Sequence, residues 1–267
     1  MPYFKHDGLD LYYITEGKGE PLVLISGLGS KNSWTFQLPY LSKKMRVIIL
    51  HNRGVGRSSR PDYPYTMTMY IDDVKALLDH LGIKEKVHLC GISMGGMIAQ
   101  HYVLKYPETV KTLILCATTS YHEEVSNVVN SQKEMENSTL EQKFKVRVAA
   151  LYSRPFRKKL KTDVQIYEIL KNNFMEDPTR LQDYINQGAA VGDHDTRDRL
   201  SEIAQPTLIL VGSEDRIILG LHHSGLLHEK IPNSKLEIIE KTGHGFVVEE
   251  HDKVNKLIMD FIHDNSS

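Results

Sequence analysis

Val87-His88-Leu89-Cys90-Gly91-Ile92-Ser93-Met94-Gly95 joins an apolar, strand-like run to a helix whose spacing carries it from Gly95 to about Lys105. A serine at a strand-to-helix turn is held in a strained, partly left-handed backbone, and its hydroxyl is pushed out over the sheet edge. Glycine is needed two residues before and two after, because a Cβ at either place would meet the neighbouring strand or helix. Taken alone, Gly91-Ile92-Ser93-Met94-Gly95 is a weak signal, since any small-residue turn reads the same way.

Working outward, strand signals fall at Leu9–Glu16, Leu22–Ser26, Arg46–His51, Val87–Gly91 and Thr112–Ala117. Helices are signalled at Met67–Leu81, with apolar residues at a helical period ending before Gly82, and at Gly95–Tyr106. Uncharged runs such as Leu22-Val23-Leu24-Ile25 and Leu113-Ile114-Leu115 suit strands covered on both faces. From about His122 to Leu200 the alternation stops. Helical spacing, Lys and Glu dominate there, with breaks near Asn137-Ser138, Arg154-Pro155 and Asp177-Pro178. Alternation resumes with a strand at Thr207–Val211, a helix near Leu219–Lys230, a strand at Lys235–Glu240 and a last helix from about Val248 to His263. The expected fold class is therefore α/β, a mainly parallel sheet with helices on both faces. Residues 1–120 and 201–267 form the core, and 121–200 form an inserted helical cap.

The chain has 267 residues, 40% of them apolar, and 33 Lys and Arg against 34 Asp and Glu, a net charge of −1. That balance makes no electrostatic case for nucleic acid or an anionic membrane. The basic stretch Arg154 to Lys161 contains Phe156 and Leu160 and reads as the solvated face of a helix. No apolar run approaches a membrane span, and Met1 to Asp7 has no apolar signal-peptide core. The two cysteines, Cys90 and Cys116, lie in strand-like runs and are expected to be buried thiols, which points to a reducing, cytoplasmic location. No zinc-like Cys/His array is present, so neither metal nor cofactor is expected; His222-His223 reads as surface, and His101 as surface or packing.

A serine hydroxyl is a poor nucleophile near neutral pH and needs an imidazole base that a carboxylate orients. Asp215 stands just past the strand Thr207–Val211, and His244 just past Lys235–Glu240. Loops after strand C-termini gather on one edge of a parallel sheet, where ligands bind. Ser93, Asp215 and His244 occupy three such positions in the order Ser, Asp, His. Glu214 is the closest rival to Asp215, and adjacent side chains point apart, so one of the two can serve; a turn or cap role for Asp215 is the competing reading. The oxyanion donors are expected to be the N–H of Met94, at the helix N-terminus, and that of Leu28 in Ser26-Gly27-Leu28-Gly29. A plain glycine turn is the alternative for the latter.

These residues resemble the α/β-hydrolase superfamily over nearly the whole chain. Gly91 to Gly96 is similar to its nucleophile elbow, Ser26 to Gly29 to its oxyanion turn, Gly212 to Asp215 to its acid loop, and Thr242 to Gly245 to its histidine loop. His51-Asn52-Arg53-Gly54-Val55-Gly56-Arg57-Ser58 is similar to the family's D-x-R-G-x-G-x-S loop. Two positions depart from the family: His51 stands where Asp is usual, and Ser26 where His is usual. Both order loops in the family, and a histidine at 51 would make that loop sensitive to pH.

The resemblance implies a serine hydrolase acting on a small-molecule carboxylic ester or lactone, with no nucleic-acid or membrane partner. A serine nucleophile argues against dehalogenase or epoxide-hydrolase chemistry. Carbon–carbon hydrolases of the superfamily commonly carry Trp after the histidine, where this chain has Gly245-Phe246. A carbon–carbon hydrolase or acyltransferase with the same triad, or a slow-turnover receptor, are the alternatives. Tyr121, Phe144, Leu151, Tyr152, Phe174 and Met175 are the candidate cap residues for substrate contact, or else for the packing of the cap itself.

Overall fold

A computed structural model describes residues 2–121 and 125–266. The chain opens with the strands β1 (Tyr3–His6), β2 (Leu9–Glu16) and β3 (Pro21–Ile25), then α1 (Leu38–Leu41), β4 (Arg46–Leu50), α2 (Met67–His80), β5 (Val87–Ile92), α3 (Met94–Lys105) and β6 (Val110–Cys116). The helices α4 (Val125–Glu134), α5 (Leu140–Leu151), α6 (Arg154–Lys159), α7 (Val164–Met175) and α8 (Leu181–Gly192) follow, before β7 (Thr207–Gly212), α9 (Gly220–Lys230), β8 (Ser234–Ile239), α10 (Phe246–Glu249) and α11 (His251–Asp264). The expected start of the helical insertion, at about His122, lies outside the described residues.

The eight strands form one sheet in the order β1-β2-β4-β3-β5-β6-β7-β8. Strands β4, β3, β5, β6, β7 and β8 pair in parallel, and β1 and β2 add an antiparallel edge. Side chains alternate across a strand, so each central strand feeds two cores. Val23, Ile25, Leu89, Leu113 and Leu115 pack with Tyr70 and Val74 of α2 and Ile98 and Tyr102 of α3. Leu22, Leu24, Cys90, Ile114 and Cys116 pack on the opposite face with Leu41 of α1 and Val254, Ile258 and Ile262 of α11. The four-residue spacing of those last three is what makes α11 one-sided. Cys90 and Cys116 are fully buried.

The helical breaks follow local chemistry. Thr139 caps α5 in a capping box with Gln142, Ser153 caps α6 ahead of Pro155, and α7 ends two residues before Asp177-Pro178. Phe156 and Leu160 turn inward from α6 while Arg154, Lys158 and Lys159 stay exposed. Three elements differ from expectation. β1 and α1 carry no strong periodic signal because each is only four residues long. The last helix is split in two at Glu250, whose φ of −126° and ψ of 43° leave the helical region.

Candidate active site

Ser93 links β5 to α3 with φ 56° and ψ −124°, a conformation that side chains other than glycine rarely adopt. Its carbonyl accepts from the N–H groups of Gly96 and Met97 and from Thr118 Oγ1, and its own N–H donates to Cys116 at 2.9 Å. The strain is thus held by several bonds to β6 and α3. The flanking glycines are required by space: a Cβ on Gly91 would lie 2.1 Å from the Gly95 carbonyl oxygen, and one on Gly95 would lie 2.2 Å from that of Ile25.

His244 sits in the loop between β8 and α10, and its Nδ1 donates to Asp215 Oδ2 at 2.8 Å. Asp215 follows β7, and its other oxygen accepts from the N–H of Ile217 at 3.0 Å. Each of these two residues is 7% exposed. Glu214, the rival acid of that loop, is exposed, and among the described residues its side chain makes no hydrogen bond to His244. Ser93 and His244 line one cavity of about 630 Å³. No hydrogen bond joins their side chains among the described residues; such contacts often tighten only when substrate arrives.

The turn after β3 lies against the serine, since a Cβ on Gly27 would sit 3.1 Å from Ser93 Cβ. Leu28 lines the same cavity. Met94 is the first residue of α3, so its N–H has no acceptor within the helix. The two residues expected from the sequence as donors thus stand beside the serine, Leu28 on the wall of the cavity that Ser93 also lines and Met94 next to it in the chain. What orders the turn is long-range: Asn52 Nδ2 donates to the Ser26 carbonyl at 3.1 Å, Gly29 N–H to Gln187 Oε1 at 3.0 Å, and Thr179 Oγ1 to the Gly29 carbonyl at 2.9 Å.

The histidine loop is braced from the insertion. Gly245 N–H donates to the Leu151 carbonyl at 2.8 Å. The buried carboxylate of Glu249 accepts from the N–H groups of Gly243 at 2.8 Å and Ser153 at 3.0 Å, and from Ser153 Oγ at 2.5 Å. Burial raises the Glu249 carboxyl above its ordinary value, against the lowering pull of those bonds. Glu249, Gln187 and Thr179 were not singled out from the sequence, because each makes a bond to a residue about 100 or more positions away, Ser153 or Gly29.

Of the cap residues named from the sequence, Phe144, Leu151, Tyr152 and Phe174 line the cavity, joined by Leu170 and Tyr184. Tyr121 instead packs edge-on against His223 and under Arg197, and Met175 is not part of the lining. His223, expected at the surface, is half-buried and lines the cavity. His101 is half-buried, with Nε2 3.0 Å from His194 Nδ1.

For the pH sensitivity weighed for His51, the environment sets the range in which it would act. Burial, then the charges of Lys31 and Arg57, pull its imidazole down to about 4. It is 5% exposed, packs at a tilt of 60° against Tyr12, and accepts the Arg57 N–H on Nδ1 at 3.3 Å. The consequence is for stability. The unfolded chain takes up this proton near the ordinary imidazole value and the folded chain does so only near 4, so stability falls as pH drops through that window and levels off below it. The loss is expected to be on the order of 2–3 kcal/mol. Urea unfolding at several pH values between neutral and acid tests this: His51→Gln should flatten the slope, and an unchanged slope removes His51 as its source.

A family model described as alpha/beta hydrolase fold matches residues 20–251. The 3-oxoadipate enol-lactonase 2 of Acinetobacter baylyi is 28% identical over 233 residues, which are 86% of this chain and 85% of that protein. The solved esterase of Exiguobacterium antarcticum is 25% identical with a TM-score of 0.82, and the match covers 96% of this chain and 97% of that one. A cis-3-alkyl-4-alkyloxetan-2-one decarboxylase of Shewanella oneidensis is 37% identical over 133 residues, 46% of this chain and 41% of that protein.

Proposed function

We propose that this chain, which belongs to the α/β-hydrolase family, cleaves small carboxylic esters or lactones through an acyl intermediate on Ser93. The observation that carries the reading is the His244–Asp215 hydrogen bond of 2.8 Å at the wall of the cavity that Ser93 also lines. His244 takes the Ser93 proton as Oγ attacks the carbonyl carbon. The N–H groups of Leu28 and Met94 receive the oxyanion, and the proton passes to the departing alcohol. Water then repeats the sequence on the acyl-serine and frees the acid. Asp215 holds the imidazole in the tautomer that leaves Nε2 free for the serine. The enol-lactonase and esterase relatives act on bonds of this class, which supports the choice of substrate. Among the described residues no helix is long and apolar enough to cross a membrane.

Cavity size sets the substrate range. At about 630 Å³ the cavity falls within the span typical of small-ligand sites. Each buried methylene should add roughly 0.8 kcal/mol of binding until the space is filled. For p-nitrophenyl esters, kcat/KM is expected to climb from acetate through roughly octanoate and then fall. A continued rise to long acyl chains, with activation at an oil–water interface, would make the protein a lipase and overturn the small-ester reading.

A further inference from the structure

We infer that the substrate of this site carries a carboxylate, received by Arg147 and Arg216 on the wall of the cavity that His244 also lines. The inference rests on the ester-cleaving reading and narrows it.

Charge along the cavity wall is one-sided although the chain as a whole is at −1. Lys31, Lys143, Arg147 and Arg216 line the cavity, against Asp177 among the described residues. Asp177 is already engaged, 2.6 Å from Arg60 and 3.8 Å from Lys31, and Glu176 stands a further 3.7 Å from Lys31. Lys143 donates its ammonium to the Glu136 carbonyl at 3.1 Å. Among the described residues, no ion pair or hydrogen bond engages the guanidinium of Arg147 or Arg216. Several other arginines meet carboxylates, Arg53 with Asp73, Arg180 with Asp183, Arg197 with Asp195 and Arg199 with Glu202. Both guanidinium groups are thus left with hydrogen-bonding capacity to offer a ligand.

Both line the cavity that holds Ser93 and His244. Arg147 is half-buried, and its charge acts on Tyr152, whose ring packs against Gly245: a Cβ there would lie 2.3 Å from Tyr152 Cε1. Arg216, the residue after Asp215, is exposed at the cavity wall, where an incoming ligand can reach it. Lys143 and Arg147 lie one turn apart on α5, where like charges repel each other. Glu141, the acid of that helix, is occupied by Lys171 at 3.2 Å and Lys145 at 3.9 Å. A bound anion relieves that repulsion. A guanidinium fork is also well matched to a carboxylate, and a cavity lined by one sign of charge draws in ligands of the other.

The carboxylate could sit on the acyl part or on the alcohol part, and two probe pairs separate these. The first pair is mono-p-nitrophenyl glutarate against p-nitrophenyl pentanoate. The second is 4-(butanoyloxy)benzoate against its methyl ester. In at least one pair the charged member is expected to have a kcat/KM about tenfold above its neutral partner at low salt, a ratio that shrinks as salt screens the charges. The double variant Arg147→Gln, Arg216→Gln should bring that ratio to about one. Neutral esters cleaved with no charged preference in either pair, or a preference that survives the double variant, would overturn the inference and leave the esterase reading standing. If no ester is cleaved, it is the esterase reading that fails. Calorimetry of glutarate binding to Ser93→Ala still decides the inference in that case: binding weakened about tenfold by the double variant upholds it, and no binding overturns it.

Discussion

Replacing Ser93 by alanine is expected to lower kcat/KM for a short ester by roughly 10⁴- to 10⁶-fold in a protein that stays folded. The size of the loss follows from the chemistry. Without the hydroxyl no acyl intermediate forms, and what is left is substrate binding beside a pair of N–H donors with water as the only nucleophile. The fold should tolerate the change, because the contacts that hold this residue are made by its main chain, through Cys116, Gly96, Met97 and Thr118. A glycine at the same position should be equally inactive yet more stable, by on the order of 1 kcal/mol, since it relieves the strain of a side chain at φ 56°. Thermal unfolding of the three proteins beside their ester kinetics tests both halves. Near-normal turnover by Ser93→Ala would remove Ser93 from the mechanism. A glycine variant less stable than the alanine one would mean that the turn is not strained.

That opposition of strain and function also explains what could be read from the sequence. The turn at Ser93 was legible because its demands are local: a strand ending in apolar residues, a helix starting at once, and glycines where a Cβ would meet backbone. Asp215 and His244 were legible because each follows an apolar strand, and parallel strands bring such ends to one edge. The short elements were not. Tyr3–His6 is held by its pairing with Leu9–Tyr12, which no period within the segment itself announces. The split of the last helix was hidden because apolar residues run on from Phe246-Val247-Val248 into α11, while the break is a backbone conformation at Glu250, next to the inward-turned Glu249. The residues that set the oxyanion turn were equally hidden. Gln187 lies 158 positions from Gly29 along the chain, and Thr179 lies 150 away. Nothing local marks either one, and only the folded chain brings them to the loop. His51 shows the limit of reading chemistry from residue type alone: a histidine suggests a neutral-range switch, but burial beside Lys31 and Arg57 keeps it uncharged until well below that range.

The acid proposed for the triad, Asp215, offers the second large effect. Asp215→Asn is expected to cut kcat by roughly 10⁴-fold, because an amide cannot hold the imidazole in the tautomer that leaves Nε2 ready to accept the serine proton. Little else should change. The N–H of Ile217 can still donate to the remaining oxygen, as it does to Oδ1 at 3.0 Å, so the loop keeps its shape and KM should move much less than kcat. Glu214 is the control. It is exposed, and its tie to the histidine loop is its backbone N–H to the Thr242 carbonyl at 2.8 Å, which Glu214→Gln preserves. That variant should keep activity within a few-fold of the parent. If Glu214→Gln loses activity while Asp215→Asn keeps it, the acid has been assigned to the wrong neighbour. If both are active, His244 needs no carboxylate, and the 2.8 Å bond to Asp215 is a packing contact rather than part of the proton path.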